Sequence, residues 1–145
     1  MTYMKKYWFF ICITTLLFAA TGCEKEEYAR DAVYGKITFD PAEPFVGDTV
    51  KMTVEVVDAG NRIFHADYSW SCSSVFSDEV RVTAPDGAKT ISAPPTYTYI
   101  FQTSGTFNVS MNAKFKFSMM TKQGTLFGSA STKLSKITVK NRPSN

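Results

Sequence analysis

The sequence predicts an all-β protein, an antiparallel β-sandwich of about seven strands, and three observations predict it. Long stretches alternate apolar and polar residues with a period of two, as half-buried strands require. Clusters of Gly, Pro, Asn and Asp separate these stretches at short intervals, the spacing of an all-β domain rather than of strand–helix units. No segment shows the 3.6-residue periodicity of an amphipathic helix.

The elements follow in order. Residues 35–39 form a first short strand, closed by Asp40-Pro41 and a turn-prone run to Pro44. The next strand, 49–58, sets Val50, Met52, Val54 and Val56 on one face and Lys51, Thr53 and Glu55 on the other. Ala59-Gly60-Asn61 turns the chain into a third strand, 65–73, with Ala66, Tyr68, Trp70 and Cys72 aligned. Segments 79–83 and 90–92 are weaker, edge strand or loop, with Pro85-Asp86-Gly87 turning between them. Pro94-Pro95 sets off a strand over 96–102, and Thr103-Ser104-Gly105 leads into a long one over 107–119. There Phe107, Val109, Met111, Ala113, Phe115, Phe117 and Met119 share one face. Lys122-Gln123-Gly124 supplies a hairpin turn, with glycine free to take positive φ. The return strand keeps Leu126, Gly128, Ala130 and Leu134 in one parity and Ile137 and Val139 in the other. A bulge or bend is therefore expected between Leu134 and Ile137.

The amino terminus reads differently. Lys5 and Lys6 precede a charge-free apolar run from Tyr7 to Ala20. That run is shorter than the roughly 20 residues a membrane span needs, and it suits a cleavable secretory signal. Translation starts at Met1 or Met4, since either begins such a signal. Ala20-Thr21-Gly22-Cys23 then resembles the lipobox of bacterial lipoproteins, with alanine where leucine is more usual. The resemblance implies cleavage between Gly22 and Cys23, lipid on the Cys23 thiol and acylation of the new amino terminus, palmitate among the chains. Glu24-Lys25-Glu26-Glu27 is similar to a surface-export signal in which a lysine is followed by acidic residues, carried here by Lys25, Glu26 and Glu27. The same run also suits a solvated, charged tether. The expected location is the outer membrane, lipid-anchored and displayed at the cell surface, with the periplasmic face as the alternative.

The expected organisation is a signal peptide at 1–22, a lipidated cysteine and flexible tether at 23–32, one sandwich domain at 33–141 and a tail at 142–145. The chain carries 16 Lys+Arg against 13 Asp+Glu, and Lys5 and Lys6 leave with the signal. The mature chain is thus close to neutral, with no basic field to draw nucleic acid as a partner. Cys12 lies in the signal and Cys23 takes lipid, which leaves Cys72 alone on a core-facing strand position with no disulfide partner.

A second resemblance spans most of residues 35–140. Phe45-Val46-Gly47-Asp48-Thr49-Val50, Tyr68-Ser69-Trp70, Thr96-Tyr97-Thr98-Tyr99, Gly105-Thr106-Phe107-Asn108-Val109 and Ile137-Thr138-Val139 together resemble a PKD domain, an immunoglobulin-like sandwich of cell-surface proteins. Ser71-Cys72-Ser73-Ser74 replaces the acidic, glycine-containing turn usual after the family's tryptophan, so the resemblance is to a divergent member. It implies a core role for Trp70 and a non-catalytic module for adhesion, ligand presentation or spacing.

Catalytic constellations are missing from the sequence. His65 is the one imidazole, too few partners surround it for a triad, and Asp78 and Glu79 point to opposite faces of any strand. Neither zinc spacing nor a calcium or phosphate loop occurs, so no catalytic residue, metal ligand or cofactor is assigned. Binding is the better expectation. Aromatic residues make up 14% of the chain, and flat rings stack on sugars. Phe64, Tyr97 and Tyr99, with Asn61 and Asp67 to fix hydroxyls, form the candidate ligand-binding set for a glycan or protein. The alternative is an assembly subunit of an envelope or surface complex that pairs through a β-edge. The long strand 107–119 and its hairpin partner are the expected edge, guarded by Lys114 and Lys116.

Overall fold

The computed structural model describes residues 27–144. Every regular element among them is a strand: β1 (Val33–Asp40), β2 (Thr49–Asp58), β3 (Ile63–Cys72), β4 (Phe76–Thr83), β5 (Tyr97–Ile100), β6 (Gly105–Phe117), β7 (Phe127–Ser131) and β8 (Ser135–Val139). They form two antiparallel sheets. One has the order β1-β2-β5, and the other β4-β3-β6-β7 with β8 also on β6. The alternation sets the core. Val50 and Met52 from β2, Tyr68 and Trp70 from β3, and Val109, Met111 and Phe115 from β6 are all buried between the sheets. The paired tyrosines Tyr34 and Tyr68 share a hydroxyl–hydroxyl hydrogen bond there, and burial pushes both phenols above their ordinary range.

β6 is central. β3 covers one side from Val109 to Phe117, while β8 and β7 lie end to end along the other. This corrects the expectation that residues 107–119 offer an open edge, since both flanks of β6 are hydrogen-bonded; the hairpin partner β7, named with them, does stand at the end of the sheet order. The parity change in the return strand is present but earlier than expected. Asn112 faces Ser131 and Val109 faces Ser135, so two β6 residues oppose Thr132, Lys133 and Leu134. Thr132 makes the break by pairing with Met111 twice, its N–H donating to the Met111 carbonyl and its Oγ1 accepting from the Met111 N–H. The break spans Thr132 to Leu134, and Leu134 is turned out to solvent within it.

The β1/β7/β8 side is closed by bonds between the sheets. Lys133 N–H donates to the Gly35 carbonyl, and Ile37 N–H donates to Ser135 Oγ at 2.8 Å. The opposite side is closed by aromatic rings. Phe76 at the start of β4 lies 5.2 Å from Tyr97 and 4.5 Å from Tyr99 of β5, centroid to centroid.

Packing begins earlier than the expected tether allows. Ala29 and Ala32 are buried, Ala29 N–H donates to the Met120 carbonyl, and Arg30 and Asn61 exchange backbone hydrogen bonds. From Ala29 onward the segment expected as flexible belongs to the sandwich.

Candidate functional site

The outer face of the five-stranded sheet is a polar surface ordered by strand register. Register aligns its side chains in rows across β4, β3, β6 and β7. One row runs Arg81, Asp67, Lys114, Ser129; the next runs Glu79, Ser69, Asn112, Ser131. Below them Ser77, Ser71 and Ser110 continue the pattern. The sequence builds this face through the same alternation that buries Trp70, with serine, asparagine and charged residues taking the other parity.

Asp67 is its charged centre. Arg81 Nε donates to Asp67 Oδ1 at 2.6 Å, and His65 Nε2 lies 3.4 Å from the same oxygen. The Arg81 hydrogen bond, helped by the charges of Arg81 and Lys116, holds the Asp67 carboxyl below its ordinary range. The short side chains interlock: Ser131 Oγ donates to Asn112 Oδ1 at 2.7 Å, and the Ser71 and Ser110 hydroxyls meet at 3.0 Å. The result is a flat lattice of hydroxyl, amide and carboxylate groups suited to hydrogen-bonding a polar partner, with Phe127 exposed at its margin beside Lys116.

The five residues expected to converge on a ligand do not meet. Only Asp67 belongs to this face. Tyr97 and Tyr99 point into the gap between the sheets, where Tyr97 stacks on Trp70 at 5.4 Å and 18° and Tyr99 meets Phe101 edge-on at 5.1 Å. The Tyr97 hydroxyl donates to Asp78 of β4, and burial together with that bond pushes its phenol well above the usual range. Phe64 is exposed at the irregular start of β3, about 20 Å along the strand from the Trp70–Tyr97 stack. Asn61 is taken up by the backbone of Arg30 and by Tyr28, whose carbonyl accepts from its amide at 3.4 Å. Inward rings satisfied by the core cannot serve as an open sugar platform, so Tyr97 and Tyr99 are corrected to a structural seal, while Phe64 stands exposed and apart from them.

Sequence reasoning missed a cleft of about 880 Å³ between the N-terminal segment, the β2–β3 turn and the β6–β7 hairpin. Tyr28, Arg30, Asp31, Asn61 and Lys122 are among the residues that line it. The missed signal is Gly128, where a side chain would collide with Asp31 and Phe117. Cys72 is buried, and burial pushes its thiol up, which makes it a core residue rather than a nucleophile. Among the described residues no group of three or more His, Cys, Asp or Glu side chains gathers to hold a metal ion.

Cleavage at Gly22, lipid on Cys23 and the export residues Lys25 and Glu26 lie outside the described residues. Glu27 is inside them, and its carboxylate accepts from Arg62 Nη2 at 2.6 Å. The chain matches no family model, no curated protein and no solved structure.

Proposed function

We propose that this chain is a non-catalytic lipoprotein, held in the outer membrane by lipid on Cys23 and displayed at the cell surface. Its immunoglobulin-like, PKD-like sandwich presents the polar outer face of the five-stranded sheet to a glycan or protein. The observation that carries the binding role is the registered lattice around Asp67, Ser69, Asn112 and Ser131. Short hydrogen-bonding groups on a rigid sheet need little ordering on contact, which favours recognition of a polar ligand. The strand order supports the immunoglobulin-like reading, since β1, β2 and β5 match strands A, B and E, and β3, β6 and β7/β8 match C, F and G. A glycan microarray probed with the mature chain and with a Ser69→Arg/Asn112→Arg variant tests the role. Binding by the first and not the second is expected, and binding unaffected by the two arginines would remove this face from the proposal.

The assembly reading keeps one specific support, now on β4. Among the described residues the β4 backbone pairs with no strand but β3, and eight residues are left along its free edge. Antiparallel pairing of two copies about Val80 sets Glu79 opposite Arg81 of the partner twice, an opposite-charge match across strands. Sedimentation of the mature chain beside Val80→Pro discriminates. A wild-type dimer abolished by proline favours assembly, and two monomers favour the binding module.

A further inference from the structure

The exposed large apolar side chains are not spread evenly. Met119, Met120, Leu126 and Phe127 stand out from the β6–β7 hairpin, Met120 at 59% and Phe127 at 66% exposure, and Tyr28 and Phe64 lie exposed at the same end. The backbone ties these pieces together: Ala29 N–H donates to the Met120 carbonyl and Ser118 N–H to the Arg62 carbonyl. The opposite end, at the β5–β6 turn, presents Gln102, Thr103, Ser104 and Gly105, with Phe45 and Ile100 the exposed apolar residues nearest it. Charges of both signs accompany the apolar end, with Glu27 and Asp31 on the N-terminal segment and the lysines on the hairpin. Lys122 lies at the hairpin tip with its Nζ 6.0 Å from the Tyr28 ring centroid, and Lys116 is paired with Phe127.

We infer that this end of the sandwich is a lipid-docking surface, with the β6–β7 hairpin seated in the interface of the same bilayer that holds Cys23. The inference rests on the lipid-anchor reading and goes beyond it. Four residues' reach joins Cys23 to Glu27, at most about 14 Å of extended chain. The sandwich is already packed at Ala29, so a lipid on Cys23 brings the apolar end to the membrane and leaves no long stalk. The thirteen residues of β6 span about 43 Å and set the β5–β6 turn far from the bilayer. Consecutive exposed methionines, a phenylalanine and flanking lysines are the composition that settles at a headgroup boundary: apolar groups enter the acyl margin and ammonium groups stay at the phosphates. The consequence is a fixed pose. β4 and the outer face of the five-stranded sheet stand alongside the membrane normal, open to a partner approaching in the plane.

Nitroxide labels at Met120→Cys and Ser104→Cys, each in the mature chain as purified from expressing cells, test this in vesicles of phosphatidylethanolamine and phosphatidylglycerol. Flotation with the vesicles reports the anchor. Relative accessibility to oxygen and to a water-soluble nickel chelate reports depth. The expected result is flotation of both chains, with the label at 120 enriched in oxygen collisions at least threefold over the label at 104. Flotation with both labels equally open to the nickel chelate would overturn the docking surface and leave the anchor standing. Chains that stay in the aqueous fraction would overturn the anchor and the docking together.

Discussion

Gly128 carries a prediction about how the N-terminal segment is held. A Cβ at this position would collide with Asp31 Oδ1 and stand 2.7 Å from Phe117 Cζ, so the Asp31 side chain and the Phe117 ring must both give way. The Asp31 carboxylate accepts a hydrogen bond from the Ser129 backbone N–H. Gly128→Ala therefore displaces the carboxylate from that amide, a loss of about 1.5–3 kcal/mol for a charged acceptor. Strain against the Phe117 ring adds about 1–3 kcal/mol. The assay is urea unfolding of the mature chain with Cys23→Ser, followed by Trp70 fluorescence. A loss of roughly 3–5 kcal/mol is expected. In an Asp31→Ala background the nearest obstacle is gone, so Gly128→Ala should cost at least about 1 kcal/mol less. Strict additivity, or a neutral Gly128→Ala, would refute the contact. Burial also holds the Asp31 carboxyl above its ordinary range, outweighing the Ser129 amide. The folded state then binds that proton better than the unfolded chain does. Asp31's contribution is full below the ordinary Asp range, about pH 3.9, and is lost as pH rises through the elevated folded value. Asp31→Asn keeps an acceptor for Ser129 and should remove that part of the pH dependence.

Four further outcomes are expected. Trp70→Ala should destabilise the domain by about 3–5 kcal/mol in chemical unfolding read by circular dichroism. Trp70→Phe should cost much less, because the buried indole N–H has no hydrogen-bond partner to lose; a stable Trp70→Ala would contradict the core assignment. Asp67 titrates below the ordinary range chiefly through its Arg81 hydrogen bond, so its contribution is present above about pH 3.9 and is lost as pH falls through the depressed folded value. Carboxyl-carbon NMR should show the Asp67 pKa rising in Arg81→Ala, and an unmoved titration would exclude the pair. Tyr97→Phe removes the hydroxyl that bridges β5 to Asp78 and should cost about 1 kcal/mol of unfolding free energy in urea titration. Protease shaving of intact cells should digest the wild-type domain and spare a Lys25→Ala/Glu26→Ala/Glu27→Ala variant; protection of both would favour the periplasmic face.

Strand positions were legible wherever burial on one face imposed a period of two. The expected span 49–58 coincides with β2, and the apolar parity of 107–117 is the buried face of β6. What the period could not reveal was partnership. Alternation states that one face of β6 is buried but not that both its edges are occupied, and Lys114 and Lys116 decorate a sheet face rather than guard an edge. The candidate site failed for a related reason. Tyr97 and Tyr99 alternate with threonine like any half-buried strand, yet only the position of β5 opposite β4 determines that their rings seal the sandwich. Asp67 was legible as a polar residue on the outward parity of β3, while Arg81, Asn112 and Ser131 become its neighbours only through cross-strand register. The early start of packing was hidden too, because Ala29 and Ala32 have little apolar weight and Gly128, ninety-odd residues later, makes their segment fit.

The most direct test of a lipid-anchored sandwich is the mass of its amino-terminal peptide, taken from detergent-extracted membranes of cells expressing the full chain. The expected peptide begins at Cys23 and carries the added mass of a diacylglyceryl thioether and an amide-linked acyl chain, and the Cys23→Ser chain yields no such species. An amino terminus at another residue, or an unmodified Cys23 in membrane-bound protein, would contradict the anchor and the membrane-facing pose built on it.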